Sequence, residues 1–212
     1  MIELKQLQLQ RGNLSLDGLN LAIPKGEYAI LVGPSGSGKS SILEALVGLI
    51  PASGGHVILN ETDVTSLHPA DRNVAYVPQD LALFSSMSVA KNISFGLGLQ
   101  RVPTDEIHAR VSEIAKALQL TSVLHRKADQ LSRGQAQRVA IGRAIVMRPS
   151  LLIMDEPLNS LDVKVKSAVV ECLRMLHQQA RPTVLHVTHQ PDDLAELASF
   201  RCRLEAGKLF CD

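Results

Sequence analysis

From Ile2 to Ile23 the chain alternates apolar and polar positions, with Leu7 and Leu9, Leu14 and Leu16, then Leu19, Leu21 and Ile23 on one face. A period of two predicts strands with one buried face, here antiparallel ones. Pro24-Lys25-Gly26 has the chemistry of a turn. Tyr28 to Val32 reads as a buried strand, and Lys39 to Leu49 as a helix. His56 to Asn60 and Asn73 to Val77 read as further strands. From about Leu81 to Gln130 the pattern turns helical, and Ile107, Val111, Ile114, Ala115 and Leu118 form one apolar stripe. Thr104 has the chemistry of an N-cap, with Asp105 and Glu106 in the first turn. Leu151 to Met154 and Val184 to Thr188 read as strands on either side of a helix from about Asp162 to Gln179. Strands alternating with helices predict an α/β fold with a parallel sheet. The N-terminal strands make an antiparallel β-subdomain, and the middle block an inserted α-helical subdomain. We expect a single domain over residues 1–212. Its core and β-subdomain take residues 1–80 and 150–212, and the helical subdomain about 81–149.

Composition narrows the function classes. The 22 Lys+Arg nearly balance 21 Asp+Glu, so no basic field points to nucleic acid as a partner. Aromatics make up 3% with no Trp, too few for a base-stacking surface. Cys172, Cys202 and Cys211 are an odd count without CxxC spacing, an arrangement that suits free thiols in a reducing compartment. The first residues do not read as a signal peptide, and the longest apolar runs are too short to span a bilayer. Work at a membrane would need spans from another chain.

Gly33-Pro34-Ser35-Gly36-Ser37-Gly38-Lys39-Ser40, followed by Ser41, fits G-x-x-x-x-G-K-[ST] between a strand and a helix. The glycines let backbone N–H groups close around phosphate oxygens. Lys39 reaches the β- and γ-phosphates, the Ser40 hydroxyl ligates Mg²⁺, and the helix aims its positive end at the anion. This motif alone leaves small-molecule kinases and transport ATPases open. No Asn-Lys-x-Asp guanine reader is present.

The apolar strand Leu151 to Met154 ends in Asp155-Glu156. An Asp at that place holds Mg²⁺, and the next carboxylate is the natural general base for an attacking water. Two adjacent acids repel unless a cation is near, although strand-end acid pairs also occur simply solvated. Ser132-x-x-Gln135 matches a capping box, so a second helix start offers free N–H groups to an anion.

Leu131-Ser132-Arg133-Gly134-Gln135 with the run to Ala144 resembles the signature motif of ABC ATPases. Gln79 in Tyr76-Val77-Pro78-Gln79-Asp80 resembles the Q-loop glutamine, Ser160-Leu161-Asp162 the D-loop, and His189 in Val187-Thr188-His189 the switch histidine. Alone, His189 reads equally as an ordinary strand-end histidine, and no third ligand joins it and His186 in a metal set. The resemblance covers essentially the whole chain with its motifs in family order, which decides against the kinase. It implies a P-loop core that hydrolyses ATP with Mg²⁺ held at Ser40, Gln79 and Asp155. It also implies a head-to-tail dimer, in which the phosphate loop of one subunit and Ser132, Gly134, Gln135 and Asp162 of the other enclose each ATP. Glu156, His189, Gln79 and Lys39 carry catalysis in that reading. The implied partners are transmembrane permease subunits, a second ATPase subunit and an external substrate-binding protein, with no nucleic acid. The place of action is the cytoplasmic face of the cell membrane.

Three departures stand out. Arg133 sits where the signature usually has its first glycine. Arg11-Gly12 stands where the family usually has an aromatic-glycine pair against adenine, so Arg11 either stacks on the base or is a solvated turn residue. The C-terminal regulatory domain of sugar importers is expected to be absent after residue 212. The stretches Leu67 to Tyr76 and Met87 to Leu97 resemble the importer branch that handles molybdate, sulfate, thiamine, iron, polyamines and sugars. An exporter, a lipoprotein-release system or a non-transport ABC ATPase is the alternative. Leu83, Phe84 and Met87 are either apolar lining for a permease helix or subdomain core.

Overall fold

The computed structural model describes residues 1–211. Among these residues ten strands and five α-helices follow one another. They are β1 (Ile2–Arg11), β2 (Leu14–Ile23), β3 (Tyr28–Val32), α1 (Lys39–Val47), β4 (Gly54–Leu59), β5 (Thr62–Asp63) and β6 (Ala75–Val77). Then come α2 (Val89–Leu99), α3 (Thr104–Ala117), α4 (Arg133–Ile145), β7 (Leu151–Asp155), α5 (Val163–Ala180), β8 (Thr183–Val187), β9 (Phe200–Glu205) and β10 (Lys208–Cys211). They group into two compact units. The first takes Met1–Tyr76, Ser150–Glu156 and the stretch from Arg181; the second takes Val77–Pro149 and Pro157–Ala180.

The first unit carries two sheets. The smaller is antiparallel in the order β2-β1-β4-β5. Its alternation slips phase once on each long strand. Buried Ile2 and Leu4 give way to Leu7 and Leu9, and Leu16 gives way to Leu19. The β1–β2 register shifts between Leu4 and Leu9, and Gln6 takes a positive φ of 48°. An irregularity of this kind keeps the eight buried leucines and isoleucines of β1 and β2 on the core face despite the three-residue gaps. The larger sheet has the order β10-β9-β3-β8-β7-β6, with β9, β3, β8 and β7 parallel.

The core of this unit joins the inner face of the small sheet (Leu4, Leu9, Leu21) to α1 (Ile42, Leu43, Leu46) and one face of the large sheet (Leu31, Ile153, Leu185). The phosphate-loop helix α1 packs on β1 and β7. Its far end is held by Arg72, which is buried and donates to the carbonyls of Ala45 (2.7 Å), Leu46 (3.0 Å), Thr65 (3.0 Å) and Leu67 (3.1 Å). Carbonyls at a helix end lack their full set of helical donors, so Arg72 adds to the Gly48 N–H on Ala45 and closes α1 as a cap would.

In the second unit α2 packs on α3 and α4, and α3 on α5. The buried side chain of Asn92 bonds the backbone N–H and C=O of Phe84 and the carbonyls of Met87 and Ser88. It fastens an irregular stretch to α2, and the helical reading that began at Leu81 therefore starts only at Val89. Thr104 is the first helical residue with Pro103 at the cap position, so its hydroxyl caps nothing.

The last two strands carry no clear strand signal in the sequence, because Phe200–Glu205 interleaves arginines with its apolar positions. The cysteine reading is corrected as well. Cys202 and Cys211 face each other across β9–β10 with a Cα–Cα distance of 4.1 Å and form a disulfide. A hairpin closes their nine-residue separation, which no motif rule flags. Cys172 is the free cysteine and is buried. No helix among the described residues is long and apolar enough to cross a membrane.

Candidate functional site

The phosphate loop connects β3 to α1 in the first unit. Its conformation needs glycine at two points. Gly38 has φ 104°, and a Cβ there would lie 2.8 Å from Leu16 Cδ1. At Gly33 a Cβ would come within 2.4 Å of the Leu204 carbonyl oxygen, so β9 runs directly beneath the loop. Gly38 is also the N-cap of α1 and offers no side chain to the first turn. The free N–H groups of that turn are left for an anion.

Lys39 is 5% exposed, and its ammonium donates to the carbonyls of Gly33 and Pro34, both at 2.8 Å. Burial draws its pKa down, while the nearby Glu156 and Asp155 draw it up. Asp155 ends β7 at 2% exposure. Burial pushes its carboxyl above the usual range, against the Ser40 hydroxyl, which pulls it down. Asp155 Oδ1 is buried with no hydrogen-bond partner, and so is Ser37 Oγ. A buried, unpartnered carboxylate oxygen is costly unless a cation meets it. Asp155 and Ser40 supply the hard oxygen donors that suit Mg²⁺, and the orphaned oxygen fits that ion.

Glu156 follows with a φ of 50°, its N–H bonded to the Val187 carbonyl at 3.0 Å. A left-handed non-glycine residue at a strand end is strained, and such strain persists where the surroundings fix it. Its carboxylate meets His189 Nε2. β7 and β8 are parallel neighbours, so the residues just after each strand end meet. The lysine, both acids and His189 thus belong to one unit and one edge of one sheet.

Arg11 ends β1, and its guanidinium is ion-paired with Glu44 of α1. Glu44 was not legible as its partner, since the two are 33 residues apart.

Gln79, Ser132, Gly134, Gln135 and Asp162 lie in the second unit. Both arms of the capping box are present: Gln135 N–H donates to Ser132 Oγ (3.3 Å), and Ser132 N–H to Gln135 Oε1 (3.1 Å). A Cβ on Gly134 would sit 3.5 Å from the Ser160 carbonyl, so the signature and the turn before Asp162 are neighbours. Arg138 braces that region by donating to the carbonyls of Gly134 (3.2 Å), Leu118 (2.8 Å) and Gln119 (3.0 Å). No spacing rule singles out Arg72, Arg138 or Arg143, whose hydrogen-bond acceptors are backbone carbonyls.

A phosphate loop between the central strand and a helix, with a buried aspartate ending the next strand but one, defines a phosphate-loop nucleotide-binding fold. The comparisons narrow the class. The ABC transporter family profile matches residues 16–159, and the chain belongs to that family. It is 42% identical over 197 residues to the molybdate/tungstate import ATP-binding protein of Pyrococcus abyssi, covering 93% of this chain and 57% of that protein. The sn-glycerol-3-phosphate import ATP-binding protein of Rhizobium etli is 41% identical over 209 residues, with coverages of 98% and 60%. The spermidine/putrescine import ATP-binding protein of Haemophilus influenzae is 38% identical over 213 residues, with coverages of 100% and 57%. The chain therefore spans about 57–60% of the length of these relatives. Among solved structures, the dimeric post-hydrolysis state of an ATP-binding cassette bound to ADP and Pi superposes with a TM-score of 0.90 at 27% identity, covering 100% of this chain and 98% of that one.

Proposed function

We propose that this chain is the ATP-binding and ATP-hydrolysing subunit of a membrane import system, peripheral to the cytoplasmic face. The observation that carries the reading is the cluster of Lys39, Asp155, Glu156 and His189 at one sheet edge beside a glycine-shaped loop. In this reading Lys39 leaves the Gly33 and Pro34 carbonyls for the β- and γ-phosphates of ATP. Ser40 and Asp155 hold Mg²⁺, and the motif resemblance assigns Gln79 a catalytic role. The bound Mg²⁺ supplies positive charge against the phosphate oxygens. Glu156 takes the proton of the attacking water as its oxygen bonds to the γ-phosphorus and the bond to the ADP oxygen breaks. His189 orients that water from the position where it now pairs with Glu156. Much of the catalysis is then positioning and electrostatics.

The site is completed by a second subunit. Ser132 and Gly134 present a capped helix start, and Asp162 adjoins it; a head-to-tail pair lets each subunit cover the other's nucleotide. The dimeric state of the similar cassette supports this arrangement. Permease subunits supply the membrane spans, and the exposed Phe84 with half-buried Leu83 and Met87 is the apolar surface offered to a permease helix. The import direction is supported by relatives near 40% identity, which are import ATP-binding proteins. Their cargoes differ, as expected if other chains, an external binding protein among them, select the cargo. The test is phosphate release by the purified chain with ATP, with and without Mg²⁺. Turnover that needs Mg²⁺ and is lost in Lys39→Ala supports the reading. Release unaffected by either change sinks it.

A further inference from the structure

Between Gln79 and α2 the chain turns through two successive left-handed residues, Leu81 (φ 67°) and Ala82 (φ 43°). Neither is a residue that visits this conformation readily, and two in a row carry a steric penalty that the surroundings must hold in place. One side chain does so. Arg143, in the last turn of α4, donates from Nη2 to the Leu81 carbonyl (2.9 Å) and from Nη1 to the Ala82 carbonyl (2.7 Å). The same guanidinium lies over the Phe84 ring at 5.6 Å, and Phe84 packs on Phe95 of α2 at 4.4 Å. Asp80 adds a favourable charge beside it. All of these residues are in the second unit.

A planar fork meets two consecutive carbonyls only when both point the same way. The left-handed pair provides that geometry, since each peptide is turned toward α4. We propose that Arg143 is a positioning residue that locks the Leu81–Ala82 turn, fixes the course of Gln79 and Asp80 after β6, and ties the Gln79 segment to the helix begun by Ser132 and Gly134. Phe84 lies against the same guanidinium, so a load on its exposed face bears directly on the clamp. The catalytic consequence rests on the role proposed above for Gln79; the clamp itself rests on the contacts alone.

The experiment uses the full chain and two variants, Arg143→Lys and Arg143→Met. Lysine keeps the charge and reaches one carbonyl; methionine keeps most of the apolar stem and reaches neither. Hydrogen exchange is followed by mass spectrometry in peptides covering residues 78–88, α4 and β3, beside kcat and KM for Mg-ATP. The expected result is exchange at 78–88 faster by about tenfold in Arg143→Met and by less in Arg143→Lys, with α4 and β3 unchanged. Turnover should fall roughly fivefold or more at a KM within about twofold, with partial recovery in the lysine variant. Unchanged exchange at 78–88 in a folded variant overturns the clamp. A uniform rise across the second unit also overturns it, because that marks Arg143 as a general packing residue. If methionine prevents folding, the lysine variant decides by the same criteria. Loss of protection at 78–88 in Arg143→Met, together with a wild-type chain that shows no ATPase, would keep the clamp and reject the function.

Discussion

Acidification should weaken this protein through one histidine in the floor of the site. His186 is fully buried on β8, three residues before His189, and its Nδ1 shares a 2.8 Å hydrogen bond with the Tyr28 hydroxyl. Its Nε2 is buried and has no hydrogen-bond partner. Burial lowers its pKa from 6.5 to about 3. The folded state therefore binds this proton less readily than the unfolded chain does. The stability it contributes is fully present above pH 6.5 and is lost as the pH falls from 6.5 toward 3. Each pH unit in that window is worth about 1.4 kcal/mol, so moving from pH 7.5 to 5.0 should remove about 2 kcal/mol. That is a large share of the roughly 5–15 kcal/mol by which a domain is stable. Urea unfolding of wild type and His186→Gln at both pH values measures it. Glutamine can still accept from Tyr28 but does not titrate, so the difference between the two proteins isolates His186 from every carboxylate. If the two lose the same stability to within about 0.5 kcal/mol, His186 is not the acid-sensitive group and the argument from burial fails.

Glu156→Gln should lower turnover by about 10²–10⁴-fold while keeping ATP binding, checked by phosphate release; wild-type turnover in the variant removes Glu156 from the role of base. With ATP the same variant should run as a dimer on size exclusion and without it mostly as a monomer, because nucleotide binds both faces and shifts association by mass action. A nucleotide-independent dimer that avoids Ser132 and Gly134 would refute the closed pair. Because Glu44 already holds Arg11, Arg11→Ala should leave ATP affinity within about twofold by calorimetry, and a loss of several-fold would show the guanidinium on the base. ATP and GTP should bind within about tenfold of each other, since phosphate contacts carry most of the affinity.

What the sequence discloses follows from how local each signal is. The phosphate loop is legible because its glycines, lysine and serine lie within one short run, and strand β7 with Asp155 and Glu156 because four apolar residues lead straight into two acids. The capping box at Ser132 is local too, and both its bonds are present. The Glu156–His189 pair is legible only through family order, since parallel strands bring together residues 33 apart, and no periodicity reports which strands adjoin. Arg72 and Arg143 are opaque for another reason. Each bonds carbonyls, and a carbonyl has no letter in the sequence. The hairpin β9–β10 is opaque because the outward positions of β9 carry Arg201, Arg203 and Glu205, which dilute the apolar signal to Cys202 and Leu204.

The order β10-β9-β3-β8-β7-β6 also sets a timetable for biosynthesis. Strand β3, which launches the phosphate loop, is made early, yet both its neighbours come late: β8 begins at Thr183 and β9 at Phe200. Until those segments leave the ribosome, Tyr28–Val32 has two unpaired edges, the condition in which nascent chains associate wrongly. Arrested chains that end before β9 should stay protease-sensitive around β3, while chains that present β9 outside the exit tunnel should be protected. The nucleotide cradle is thus among the first parts of the protein to be synthesised and among the last to take shape.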